Sequence, residues 1–156
     1  MIARSGMGLL TKKGGPKPDI STTESWKRAL ASAKSITYPS EGASGVYFVA
    51  LIDKLGLTET LKPQLKPVPN AAGVVGIITR GEAEIGILPL SEIIPEHGVE
   101  AIGPFPPEVQ GHIVMTAGVS AAAKQPGPAR DLVKFLTAPS AATTIMEKHM
   151  EQGGGA

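Results

Sequence analysis

The chain has 156 residues, 42% hydrophobic and 19% charged, with a net charge of +1 and no cysteine. That is enough chain for one domain with a real core. It excludes disulfides, thiol chemistry and cysteine-bound metal, and without a basic block it argues against nucleic acid as a partner.

Residues 6–10, "GMGLL", read as a short strand, and the Gly-, Pro- and Lys-rich "TKKGGPKPDIS" reads as an exposed connector. "STTE" reads as a capping box, with Ser21 as N-cap and Glu24 reaching back. The helix it opens runs to about Lys34, with Trp26, Ala29, Leu30 and Ala33 on one face. "SITY" is a strand and "PSEGA" a turn. A second helix begins at Ser44, with Val46, Tyr47, Val49, Ala50, Leu51 and Leu55 at helical spacing and Gly56 as its stop. Three prolines leave at most a short edge strand at Leu65–Val68.

"NAAGVVGIITRG" reads as a third helix, capped by Asn70 and ended by Gly81. "AEIGILPL" is a buried strand, "SEIIPE" a helical turn, "VEAIGPFP" a strand, and residues 112–120 a further strand. Two helices close the pattern, broken at Ala138–Pro139, with Pro139 suited to the first turn of the second. The alternation implies an α/β fold, a mainly parallel sheet with helices on both faces. The expected organisation is one α/β domain over residues 1–150 and a flexible tail over 151–156.

Two turns attract attention. Ser40, Ser44 and Gly45 precede or open the second helix, where free amides and the helix dipole favour an anion; an ordinary loop with a capping serine looks the same. Asn70 and Ala71 open the third helix and admit the same two readings. Together, two such starts at one sheet edge can offer their amides to a single oxyanion. Arg4 can clamp a carboxylate, and His112 begins a strand where it can face a cleft. Arg80, Glu82 and Glu84 read as solvated charges. His97, His112 and His149 lack metal-ligand spacing, so no metal is expected. No cofactor fingerprint, P-loop or nucleophile elbow is present. No apolar run is long enough to span a membrane, so membrane insertion is not expected.

The run "PKPDIST…WKRALASAKSITY…GASGVYFVALIDKLGL…TRGEAEIGILPLSEI…GVEAIGPFPPEVQ" resembles the type 2 periplasmic solute-binding family, in its molybdate-binding-protein-like branch. The resemblance covers Ala3 to about Met150. It implies two α/β lobes joined by two crossover strands, with the ligand between them. Residues 20–108 would be one complete lobe, 3–14 and 111–120 the crossovers, and 126–150 helices of a partial second lobe whose first half would precede residue 1. By the same resemblance, Ser44 and the Ala71 amide match anion-holding positions, while Pro89 stands where molybdate binders carry a tyrosine.

The resemblance implies binding of a small anionic solute, an oxyanion or carboxylate. The alternatives are a cofactor-independent isomerase of an unsaturated carboxylic acid, of the aconitate-isomerase kind, or an interaction module without ligand. An incomplete lobe would leave Leu132, Val133, Phe135, Leu136, Ile145 and Met146 uncovered, so a homodimer is expected, with crossovers and C-terminal helices exchanged. The chain as written shows no export signal, which points to the cytoplasm, whereas the family resemblance implies the periplasm.

Overall fold

A computed structural model describes residues Met1–Gly153. Its contacts fall into two compact units, Gly6–Gly111 and a smaller one made of Met1–Ser5 and the chain from His112 onward.

The larger unit carries β1 (Ala3–Lys12, which begins in the smaller unit), α1 (Thr23–Ser32), β2 (Ile36–Pro39), α2 (Ala43–Lys54), α3 (Thr58–Leu61), β3 (Leu65–Val68), α4 (Ala71–Thr79), β4 (Ile85–Pro89) and β5 (Val99–Pro104). The strand order is β3-β2-β4-β1-β5. β2 runs parallel to both β3 and β4. These are the strands separated by helices, as an alternating pattern requires. β1 enters antiparallel between β4 and β5. The α/β class therefore holds, in a mixed sheet. The residues from Gly6 to Lys12 form a central strand of this unit, with buried neighbours on both sides.

From β2 the chain steps outward to β3 through α2, then back past β2 to β4 through α4. With right-handed crossovers, opposite steps put α2 and α4 on opposite faces of the sheet. On the α4 face, Val74 and Ile78 pack with Leu10, Leu88, Ile93 and Val99. Leu9 and Ile87 alternate with Leu10 and Leu88 and are also fully buried, as a sheet covered on both faces demands. Trp26 of α1 is buried edge-on to Phe105, ring centroids 5.0 Å apart.

Helix ends differ in detail from expectation. The cap of α1 is Thr22 paired reciprocally with Ser25, not Ser21 with Glu24. The reason is local: the Ser21 amide is already engaged by Asp19 Oδ1 at 2.9 Å, so the chain enters the helix one residue later. The start of α2 is Ala43 after Gly42, rather than Ser44. Its core-facing residues are Phe48, Leu51 and Ile52, while Val46 and Val49 are exposed. Gly56 ends it with φ 68°, and Asn70 caps α4 as expected. The short α3 had no signal strong enough to be read beside Pro63.

The smaller unit holds the start of β1, β6 (His112–Met115), α5 (Pro126–Thr137), α6 (Ala142–Glu147) and β7 (Glu151–Gln152). β6 is shorter than the strand expected over 112–120. Pro139 sits in the 3-10 turn leading into α6. The expected tail is corrected over its first residues: Ala3 pairs with Gln152 and Arg4 with Glu151, and the Gly153 amide donates to the Ile2 carbonyl at 2.8 Å. Residues 154–156 of that tail lie outside the described residues.

Candidate functional site

β2 and β3 end side by side, with Pro39 opposite Val68. The two turns that follow are stitched together. The Ser40 amide donates to the Val68 carbonyl at 2.7 Å, its hydroxyl donates to the same oxygen at 3.2 Å, and the Glu41 amide donates to the Pro69 carbonyl at 3.3 Å. Both turns lead into helices, so two helix starts issue from one stitched sheet edge.

At the first, Gly42 caps α2 without any side-chain hydrogen bond. Among the described residues no protein group accepts from the amides of Ala43, Ser44 or Gly45; the ladder begins with Val46 donating to Gly42 at 3.1 Å. Ser44 is only 5% exposed. Gly45 is fixed by packing: a Cβ there would lie 1.7 Å from the Pro39 carbonyl oxygen. No other residue type lets α2 start this close to the end of β2.

At the second start, Asn70 Oδ1 accepts from the Gly73 amide at 3.0 Å, which caps α4. The Val74 amide bonds back to Asn70, leaving those of Ala71 and Ala72 without a protein acceptor among the described residues. Neither α2 nor α4 has an acidic residue in its first turn, whereas α1 has Glu24. The dipoles of α2 and α4 are thus unquenched from within, a favourable field for an anion.

Residues beside the two starts also line separate hollows along the flanks of their helices. Ser40 and Gly45 line a cleft of about 530 Å³ along α2, with Tyr38, Val46 and Val49 on its wall. Ala71 and Ala72 line one of about 430 Å³ along α4, facing Glu92 and His97. Burial raises the Glu92 carboxyl above its ordinary range. The structure therefore brings Ser40 together with Gly45, and Asn70 with Ala71. Ser40 has spent its hydroxyl proton on Val68, and Asn70 its oxygen on the cap.

Arg4 and His112 belong to the smaller unit, where both face Glu151. Arg4 Nε donates to Glu151 Oε2 at 2.6 Å, and His112 Nε2 is 3.6 Å from Oε1. Hydrogen bonding from Arg4, with its charge, holds the Glu151 carboxyl below its ordinary range. Sequence reasoning missed Glu151, because its partner lies 147 residues away in the chain.

The remaining charges are structural. Arg80 and Glu82 form an exposed ion pair, with Nε 2.5 Å from Oε1. The Glu84 carboxylate accepts from the Lys34 amide at 2.7 Å, tying the end of α1 to the start of β4. Tyr47 was also missed as a structural residue. Its hydroxyl donates to the Val109 carbonyl at 3.0 Å, and its ring fills the space a side chain on Gly111 would need.

The family model for bacterial extracellular solute-binding proteins matches residues 1–151. The chain is 28% identical over 151 residues to an aconitate isomerase of Pseudomonas sp, which covers 96% of this chain and 57% of that protein. It is also 28% identical over 88 residues to the molybdate-binding protein ModA of Escherichia coli (strain K12), covering 56% of this chain and 34% of that one. The chain thus spans less than two thirds of either relative. Among solved structures, the periplasmic molybdate-binding protein of Azotobacter vinelandii superposes over 98% of this chain and 67% of its own, with TM-score 0.66 and 17% sequence identity. That likeness is one of fold.

Proposed function

The chain belongs to the bacterial extracellular solute-binding proteins over residues 1–151, and from that premise we propose that its larger unit binds a small oxyanion or carboxylate at the starts of α2 and α4. One observation carries the reading: the amides of Ala43, Ser44 and Gly45 have no protein acceptor among the described residues. The amides of Ala71 and Ala72 at the neighbouring start add to it. Ser40, Gly45 and Asn70 shape these starts, Ser40 and Asn70 by hydrogen bonds and Gly45 by close packing. Pro89 offers no hydroxyl, so selectivity rests on backbone donors, which accept any compact anion of suitable size.

The test is a thermal-shift and calorimetric titration with molybdate, sulfate and citrate. A saturable shift with at least one of them supports the reading. Its absence with all three, or a shift unaffected by Ser44→Ala and Ala43→Pro, overturns it.

A second reading is a cofactor-independent isomerase of an unsaturated carboxylic acid. It is favoured by the wider match, 96% of this chain against aconitate isomerase and 56% against the molybdate binder. Ultraviolet absorbance of cis- or trans-aconitate that changes with time in the presence of the protein supports it. Binding without turnover returns the reading to a carrier.

Self-association belongs to the same proposal. α5 has no buried residue, and Leu132 and Phe135 are 58% and 67% exposed. An amphipathic helix that leaves large apolar side chains exposed gains by packing on another chain.

A further inference from the structure

Arg4 and His112 stand on β1 and β6, two paired strands of the smaller unit, and both turn toward one carboxylate. Arg4 Nε and Nη2 lie 2.6 Å and 2.5 Å from Glu151 Oε2. His112 Nε2 lies 3.6 Å from the other oxygen, Oε1. Each oxygen therefore faces its own basic group. Arginine is a common means by which proteins recognise a ligand carboxylate, because the guanidinium keeps its charge at any working pH and presents its donors in a fixed fork.

Here the carboxylate is the chain's own. It rides on β7, only two residues long, whose pairing is limited to Ala3 with Gln152 and Arg4 with Glu151. Beyond these, the Gly153 amide bonds to Ile2, and Gln152 Nε2 donates to the Ala138 carbonyl at 2.7 Å. Glu151 is itself half exposed. A two-residue strand with a single pairing partner opens locally at low cost. A strand that opens readily and carries a carboxylate into a basic fork behaves as an internal competitor.

We propose that Arg4 and His112 form a carboxylate-binding site that Glu151 fills from within the chain, and that a small carboxylic acid binds there by displacing β7. The proposal does not depend on α2 or α4.

Citrate is the probe, with sulfate at matched ionic strength as the comparison. In the wild-type chain, citrate should speed hydrogen exchange at the Gln152 and Gly153 amides, because it competes with the strand. The His112 ring signals in the NMR spectrum, assigned with His112→Asn, should move saturably. Glu151→Gln removes the competitor. If Glu151 occupies the fork about nine-tenths of the time, citrate should bind this variant about tenfold more tightly. Adding Arg4→Gln should abolish that gain. Ala43→Pro and Ala71→Pro should leave it untouched, which separates this site from the one on the larger unit.

The proposal is overturned if Glu151→Gln gains no affinity, if the gain survives loss of Arg4, or if sulfate reproduces it. Should Glu151→Gln fail to fold, the wild-type exchange measurement decides. Unchanged exchange at β7 under saturating citrate then overturns it.

Discussion

Ser40 directs both its amide and its hydroxyl to a single acceptor, the Val68 carbonyl, at 2.7 Å and 3.2 Å. That doubled contact ties the turn after β2 to the end of β3. It also removes the Ser40 hydroxyl proton from any role with a ligand. Ser40→Ala should therefore lower stability by about 1 kcal/mol, the net worth of one hydrogen bond, and leave anion affinity within about twofold. Denaturant unfolding beside an anion titration checks both. A large loss of affinity at unchanged stability would place the hydroxyl on the ligand.

Gly45 should tolerate no substitution. A Cβ would stand 1.7 Å from the Pro39 carbonyl oxygen, and the obstacle is backbone rather than a mobile side chain. Gly45→Ala must push α2 away from β2, with a cost of about 3 kcal/mol or more. The midpoint of urea unfolding measures it. By contrast, Gly127→Ala, where a Cβ meets nothing within 4 Å, should be nearly neutral.

Proline can test the backbone donors cleanly. Ala43 and Ala71 are each the first residue of their helix, a position where proline fits and the lost N–H makes no helix bond. The preceding residues, Gly42 and Asn70, have the extended ψ of 154° and 177° that proline requires before it. Ala43→Pro and Ala71→Pro should fold as the parent does. A hydrogen bond to a charged group contributes about 1.5–3 kcal/mol, so each variant should lose roughly tenfold or more in anion affinity. Calorimetry on both variants reads this directly.

Acid should loosen β7. The Glu151 carboxyl is held below its ordinary value of 4.5 by hydrogen bonding and charge from Arg4. A depressed carboxyl stabilises the folded form above its unfolded value, and that contribution fades as pH falls through the folded one. Pairing of β7 should thus be intact above about pH 4.5 and be lost as pH falls further below it. Hydrogen exchange at Gln152, corrected for the intrinsic pH dependence, checks the direction. Arg4→Gln should move the loss to higher pH.

Association through the smaller unit should depend on α5. Replacing Phe135 and Leu132 by Glu and Lys should yield monomer in sedimentation at micromolar concentration, with helix content preserved because neither side chain is buried. A wild-type chain that sediments as a clean monomer contradicts the association itself.

Much of this architecture is visible in the residues taken in order. Trp26, Ala29, Leu30 and Ala33 mark the buried face of α1 by spacing alone, and all four are buried. Asn70, Gly56 and Pro139 mark helix ends because their backbone and side-chain preferences act within a few residues. The two helix starts could be located for the same reason.

What needed the folded chain is whatever depends on distance in sequence. α2 is apolar on more than one side, so its spacing did not say which stripe faces inward. The contact of Gly45 with Pro39 sets its rotation, burying Phe48 and Ile52 and leaving Val46 and Val49 outside. β1 carries the same short apolar run in any α/β protein; its antiparallel seat between β4 and β5 is decided by partners far along the chain. Glu151 read as part of a tail until Arg4 and His112 were found beside it. Capping and periodicity are local energies and survive in the order of residues; packing and ion pairing are sums over neighbours that only folding brings together.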